Sequence, residues 1–402
     1  MRRTKRTNKD GSTVSYLQLA HNERHAVTGN PVAKVIWNFG REDSVDKDAL
    51  RRLMQSIARV LDPEDQIAVE MGIELGSISI ESDKSLGGAW ALDQLWTKLG
   101  IRSAFEELLR ERQFEAPVER AVFAMTANRA LAPSSKLAME DWVENDVCID
   151  GLGQVQVHQL YRAMDLLVEN HEHVQERVFF SMANLLNLEV DLVYFDTTST
   201  YFEVDPDPDE EEELRRTGYS KDHRPDLLQV VIGLAVTRDG IPVRCWVWPG
   251  NTGDMEVVAQ VKKEARLDGK YLLRTSDDTL SPEDVALGYK QLLEVEDAFR
   301  TLKSTLDLRP MYHRVSDRIR AHVLLCWLAL LLVRVAENQV GDTWPRIRTQ
   351  LERIRIVEIN TPEGNVVQRT DITPAQKHIL SRLKVPEPKK IREIILKSKV
   401  RA

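Results

Sequence analysis

The stretch Tyr289–Lys303, YKQLLEVEDAFRTLK, decides how the rest of the chain is read. Tyr289, Glu296 and Lys303 recur every seven residues. Seven residues are close to two helical turns, so a helix lines these side chains along one stripe, with about 20° of drift per step. Leu292, Leu293, Val295, Phe299 and Leu302 supply an apolar face beside the stripe. The next predicted helix, Ile319 to Glu337, is almost entirely apolar. An acid on a helix anchored in this way is held in a fixed direction, as a metal-binding carboxylate requires. Taken alone, Glu296 also reads as a solvated charge in an ordinary i,i+4 pair with Arg300, worth about a few tenths of a kcal/mol. A second acid upstream, and the order of elements between the two, favour the functional reading.

That second acid is Asp196. Asp191–Asp196, DLVYFD, is a short apolar run followed by Thr197, Thr198 and Ser199. It reads as a buried strand whose last residue projects from the carboxyl edge of a sheet. Leu227–Thr237 is a second strand, Asp239-Gly240 a tight turn, and Ile241–Trp248 a third strand. Pro249-Gly250-Asn251-Thr252 leads into a predicted helix at Asp254–Leu267, and the strand-like run Lys270–Thr275 precedes the Tyr289 helix. A strand ending in Asp, two antiparallel strands, a helix, a strand and a helix carrying Glu is the core order of an RNase H-like α/β fold, a mixed sheet flanked by helices. In that fold the two acids meet at one end of the sheet. Carboxylates placed there can hold Mg²⁺, a hard ion that takes oxygen ligands. A metal pair activates water and stabilises the leaving oxygen in phosphodiester attack.

With these elements in place the chain resembles the bacterial insertion-sequence transposases of the DDE type, in the branch marked by a Tyr-Arg-Glu-Lys helix. Phe195-Asp196-Thr197-Thr198 is similar to the first-acid strand, and Pro249-Gly250-Asn251-Thr252 with Asp254 to the turn after the third strand. Tyr289, Glu296 and Lys303 match the helix motif in spacing. The similarity runs from about residue 12 to 345. The resemblance implies Asp196 and Glu296 as catalytic residues and ligands of Mg²⁺ or Mn²⁺, and DNA contacts by Tyr289, Lys303 and Arg300. It implies hydrolytic nicking at the element's ends, followed by attack of the freed 3′-hydroxyl on target DNA. The expected partners are transposon-end and target DNA and a second copy of the chain, with no small-molecule substrate.

Two departures qualify this expectation. Leu292 stands where the motif carries Arg, which removes a phosphate-binding fork. The strand bearing the second catalytic Asp, with the insertion after it, is missing near Leu267, as in an internally deleted copy. Asp277 is the candidate substitute, although Asp277-Asp278 before Thr279 and Ser281 also reads as a loop and helix-cap cluster. Asp254 likewise reads as an acid favoured at a helix N-terminus. Impaired activity is therefore expected, and the alternative is a catalytically dead remnant that only binds element-end DNA.

The bulk properties fit a soluble chain of two or three domains. It has 402 residues, 42% hydrophobic and 29% charged. Cys148, Cys245 and Cys326 lie far apart and make no metal-ligand spacing, a pattern that suits a reducing cytoplasm. Val323–Ala336 is interrupted by Arg334 and reads as a buried helix rather than a bilayer span. The net charge of −8 hides basic ends, MRRTKRTNK and the segment from Lys389, and an acidic run at Asp205–Glu213. Any contact with nucleic acid must therefore be patchy.

Four regions are expected. Residues 1–45 form a basic arm and a hairpin of Thr13–Leu19 and Val32–Phe39, either a simple flap or a backbone-tracking DNA contact. Residues 46–188 form a helical domain, with helices near Asp46–Leu61, Pro117–Asn128, Ser135–Asn145, Val157–Asn170 and His173–Leu186. Trp90, Leu92, Leu95, Trp96 and Leu99 also recur at helical spacing before Gly100. Trp90, Trp96 and Trp142 fit that core better than a DNA contact, and His158, His171 and His173 lack supporting metal ligands. Residues 189–345 form the catalytic domain. Residues 346–402 hold a hairpin of Ile354–Asn360 and Val366–Thr370 and a basic tail, flexible or briefly helical.

Overall fold

The computed structural model describes residues 2–7, 13–24, 31–42, 44–46, 79–110, 117–185, 194–203, 213–253, 256–257, 293–309, 311–361 and 364–396. The chain divides into two compact units, Met1–Ser79 and Ile80–Ala402.

The first unit contains a three-stranded antiparallel sheet of β1 (Arg2–Thr7), β2 (Thr13–Arg24) and β3 (Pro31–Arg41). The predicted hairpin is present, and both strands run longer than expected. The basic arm is itself a strand, with Arg3 opposite Leu17 and Lys5 opposite Ser15. Two register shifts between β2 and β3 absorb the extra residues of β3. The predicted Asp46–Leu61 helix lies almost wholly outside the described residues.

The second unit is mixed α/β. It begins with β4 (Ser79–Ser85), α1 (Gly87–Lys98), α2 (Ile101–Leu109) and α3 (Val118–Leu131). Of the predicted periodicity, Leu92, Leu95 and Trp96 lie buried on α1, Trp90 is half-buried, Leu99 is the buried residue after the helix, and Gly100 follows in the left-handed region at φ 71, which a glycine adopts without strain. Helix α3 is buried on every side. It carries an ion network in which Arg120 binds Asp93 and Glu119, and the Trp96 indole donates to Glu119. Next come α4 (Ala138–Asp141), which continues as a π turn through Asp146, α5 (Val157–Glu169) and α6 (His171–Leu185).

A second antiparallel sheet is ordered β5 (Tyr194–Tyr201), β6 (Gln229–Val236) and β7 (Pro242–Pro249). Helix α7 (293–305) and α8 (Ser316–Val340) add their apolar faces to the core. Helix α8 packs against α3, α5 and β7 and so joins the helical region to this sheet. It is long and apolar enough to cross a bilayer, but 89% of its most apolar window is buried against the rest of the chain, as expected for a core helix. Beyond it lie α9 (Trp344–Leu351), β8 (Arg355–Thr361), β9 (Gly364–Arg369), α10 (Pro374–Arg382) and β10 (Ile391–Leu396).

The hairpin predicted near the C-terminus is β8–β9. The tail departs from expectation, because β10 pairs antiparallel with β9 and completes a sheet ordered β10-β9-β8-β4. Exposed Ile391, Ile394 and Ile395, between lysine-bearing flanks, give that strand no simple apolar-polar alternation to read. Cys245 and Cys326 are buried free thiols, as their apolar surroundings predict.

Candidate functional site

Asp196 is the third residue of β5, opposite Leu234 of β6, and not the last residue of a strand. The run of β-branched and hydroxyl residues Thr197–Tyr201 continues the pairing to Gln229. Its carboxylate is still accessible, with a side chain 45% exposed. Behind it, Phe195 meets Trp246 and Trp248, with ring centroids 5.6 and 6.5 Å away. Those two indoles stack at 6.0 Å.

The loop that faces Asp196 is held by the turn after β7. Gly250 N–H donates to Leu214 O at 3.0 Å, and the Gln229 side chain donates to Gly250 O at 3.0 Å. A Cβ on Gly250 would lie 2.1 Å from Gln229 O and 2.3 Å from Arg216 O, so only glycine fits this approach. Arg216 in turn bridges Gln229. The Pro249-Gly250-Asn251-Thr252 motif thereby fixes the position of the segment Ser220–Asp226.

That segment, SKDHRPD, brings Lys221 to the site. The Lys221 ammonium donates to Thr197 O at 2.6 Å and Thr197 Oγ1 at 2.8 Å, and lies 3.5 Å from Asp196 Oδ1. Its backbone N–H donates to Ser199 Oγ at 2.9 Å. The next residue, Asp222, is largely buried between two cations, with Lys303 Nζ 2.8 Å from Oδ1 and Arg309 Nη1 2.9 Å from Oδ2. Arg309 and Arg224 both lie over the Tyr201 ring, at 5.8 and 5.6 Å. Burial lowers the Lys303 pKa, against the opposing pull of Asp222.

The helix motif is partly described. Glu296 is exposed, and Val295, Ala298, Phe299 and Leu302 form the buried face. Leu293 is 55% exposed and does not join that face, while Leu292 lies outside the described residues. Arg300 is exposed and pairs with Asp297 at 2.7 Å rather than with Glu296. After Arg300 the helix widens into a π turn, Thr301–Thr305, closed by Leu306 N–H to Thr301 O at 3.0 Å. The wider turn breaks the simple seven-residue stripe, so Lys303 is turned onto Asp222 while Glu296 faces solvent. Tyr289, Asp277, Asp278 and Asp254 lie outside the described residues, as do nearly all of the predicted Asp254–Leu267 helix and the Lys270–Thr275 strand.

The structure therefore joins Asp196 to the Glu296 helix through Lys221-Asp222 and Lys303. Lys221, Asp222 and Arg309 were missed at the level of sequence. The signal was the density of alternating charge in SKDHRPD, masked by the acidic run just before it. Asp196 and Glu296 offer the hard carboxylate oxygens that Mg²⁺ or Mn²⁺ takes, and Mg²⁺ needs only one or two carboxylates beside its waters. Among the described residues, no group of three His, Cys, Asp or Glu side chains gathers to complete a metal site. The cation beside Asp196 is the Lys221 ammonium.

In the first unit, Arg3, Lys5 and Arg6 are exposed on β1, and Trp37 is 64% exposed on β3. Arg3 pairs with Glu42. Exposed basic side chains along an edge strand are the electrostatic footprint expected of a nucleic-acid surface, and β2 separates them from Trp37.

Residues 1–66 match the model of the IS1634 family transposase, N-terminal domain. No curated protein and no solved structure gives a significant match. The matched segment supports an insertion-sequence transposase, a class whose work implies binding to DNA; it ends well before Asp196 and Glu296.

Proposed function

We propose that this chain is an insertion-sequence transposase that retains DNA-end binding and is impaired in strand cleavage. The observation that carries the reading is Asp196, an accessible acid on the first strand of an antiparallel β5–β6–β7 meander, linked through Lys221-Asp222 and Lys303 to the helix that bears Glu296. That arrangement is the one expected of an RNase H-like DDE domain over residues 189–345. Asp196 and Glu296 would hold Mg²⁺ or Mn²⁺, which when bound supplies water activation and stabilisation of the leaving oxygen.

The chain's own groups have separate tasks. Thr197 and Ser199 fix the Lys221 loop beside Asp196. Lys303 and Arg309 present cations that suit DNA phosphates, with Asp222 as their partner in the free protein. Arg300 and Tyr289 are further DNA contacts of the same helix. The first unit supplies basic contacts from β1, and two copies of the chain would bring two element ends together.

Impairment is favoured by the lack of a clear second catalytic Asp in the sequence near Leu267, and the Lys221 ammonium 3.5 Å from Asp196 Oδ1 already occupies the cation position beside that carboxylate. Asp277 remains the candidate third acid. The remnant reading, binding without cleavage, is the limiting form of the same proposal. A duplex carrying the terminal inverted repeat that flanks the reading frame separates the cases. Retardation with little nicking in Mg²⁺ supports an impaired enzyme or remnant. Vigorous nicking lost in Asp196→Ala would establish a working enzyme, and no specific retardation would refute the function.

A further inference from the structure

In the sheet of the first unit the register decides which side chains share a face, because directly opposed residues lie on one face and successive residues alternate. Arg3 of β1 lies opposite Leu17 of β2, and Lys5 opposite Ser15. Leu19, on the same face of β2 as Ser15 and Leu17, lies opposite Trp37 of β3. One face therefore carries Arg3 and Lys5 on one edge strand, Trp37 on the other, and the partly exposed Leu17 and Leu19 between them.

Two observations agree with this layout. The Arg3 guanidinium reaches across β2 to pair with Glu42, the residue after β3, whose N–H donates to Ser15 O at 2.9 Å. A cation from the first edge thus already lies over the face. The Leu19–Trp37 pair is bracketed by the two register shifts between β2 and β3, and such irregularities twist a strand and re-aim its side chains.

Trp37 is left in water on this face, although an indole usually buries most of its surface. Strand spacing sets it about 10 Å across the sheet from β1 and about 7 Å along the sheet from Arg3. The long Arg and Lys stems shorten that gap. Cations at one edge and a flat ring at the other complement a strand that carries phosphates on one side and bases on the other. A duplex offers the cations its phosphates, but its base faces are taken up in stacking on one another. An unpaired strand engages both edges.

We propose that this face of the β1–β2–β3 sheet is a platform for single-stranded DNA, with a base stacked on Trp37 and phosphates held by Arg3 and Lys5. Arg3 exchanges Glu42 for a phosphate when the strand binds. The proposal rests on the reading of the chain as a DNA-binding transposase, and it adds the form of DNA that the first unit takes.

The test is titration of the full chain with a labelled single-stranded oligonucleotide and with the blunt duplex of the same sequence, at equal salt. Anisotropy of the label reports affinity, and tryptophan emission reports stacking. The single strand should bind more tightly than the duplex and quench the emission. Trp37→Phe should hold the single strand within about threefold of wild type yet lose the quenching, and Trp37→Ala should weaken it by about tenfold or more, the effect of one lost base stack. Duplex binding and the Tm of the free protein should be the same in Trp37→Ala as in wild type, since the ring is exposed. Single-strand binding by Trp37→Ala as tight as that of wild type, or a duplex that binds and quenches as well as the single strand, overturns the platform. Mobility shift of the terminal-repeat duplex separates the two readings. Specific retardation alongside either of those results removes the platform alone, and no DNA binding of any kind removes the platform and the transposase reading together.

Discussion

Lys136 is a buried lysine whose titration couples to stability. Burial and the neighbouring Arg129 depress its pKa to about 7. Between about pH 7 and its ordinary value the unfolded chain binds a proton that the folded chain does not, so stability rises with pH across that window. Below pH 7 both states are protonated and the cost of burying the charge is constant. Chemical denaturation should show wild type gaining on the order of a few kcal/mol between pH 7 and 10 relative to Lys136→Met. The nearby His313 works at the acid end. Its folded pKa of about 4 means that the unfolded state takes the proton first, so stability should fall as pH drops from about 6.5 to 4, and less so in His313→Phe.

Asp222 has the opposite character, since its carboxylate satisfies two cations. Asp222→Ala leaves the mostly buried Lys303 unpaired. After discounting for the partly exposed Arg309, a loss of about 1–3 kcal/mol in urea unfolding is expected. The same variant should bind DNA more tightly, as two cations are released, which a mobility shift at low salt would register.

At the scale of elements, the turn after β7 has the most demanding geometry. Gly250→Ala drives a methyl into two carbonyl oxygens and should cost at least about 2 kcal/mol, measured by unfolding, because the neighbours are backbone and cannot yield cheaply. It should also loosen Ser220–Asp226 and increase hydrogen exchange there.

Element type was legible where a period ran long enough to repeat. The buried stripe of α1, helices α3 to α6 and the β6 and β7 strands were legible in the sequence, whereas α2 (Ile101–Leu109) was not expected. The ends of elements were not legible, because Thr197–Tyr201 carries strand-forming residues beyond the apolar run that marks the start of β5. The π turn at Thr301–Thr305 was also invisible, since one widened turn leaves no periodic trace in fifteen residues. Strand β10 was hidden because its pairing partner β9 lies some twenty residues away in a different element. Of the proposed site, Asp196 and Glu296 stand out in the sequence as candidates, whereas Lys221 and Asp222 acquire meaning only when the Gly250 turn folds their loop against β5.

At the scale of the molecule, the two compact units suggest a division of labour. The first carries the family match and the basic strand β1, and the second carries Asp196 and Glu296. Basic contacts to phosphate make affinity salt-dependent. Lys5→Ala and Arg6→Ala should each weaken DNA binding and lower the slope of log K against log salt by about 1, with little change in sequence preference. An unchanged slope would remove β1 from the interface. The most direct measurement of the central claim is a paired mobility-shift and nicking assay on the terminal-repeat duplex in Mg²⁺, with wild type and Asp196→Ala. Specific retardation by both proteins with little nicking by either is the predicted result. Absence of specific retardation would contradict the DNA-end function, and strong nicking by wild type that vanishes in Asp196→Ala would contradict the impairment.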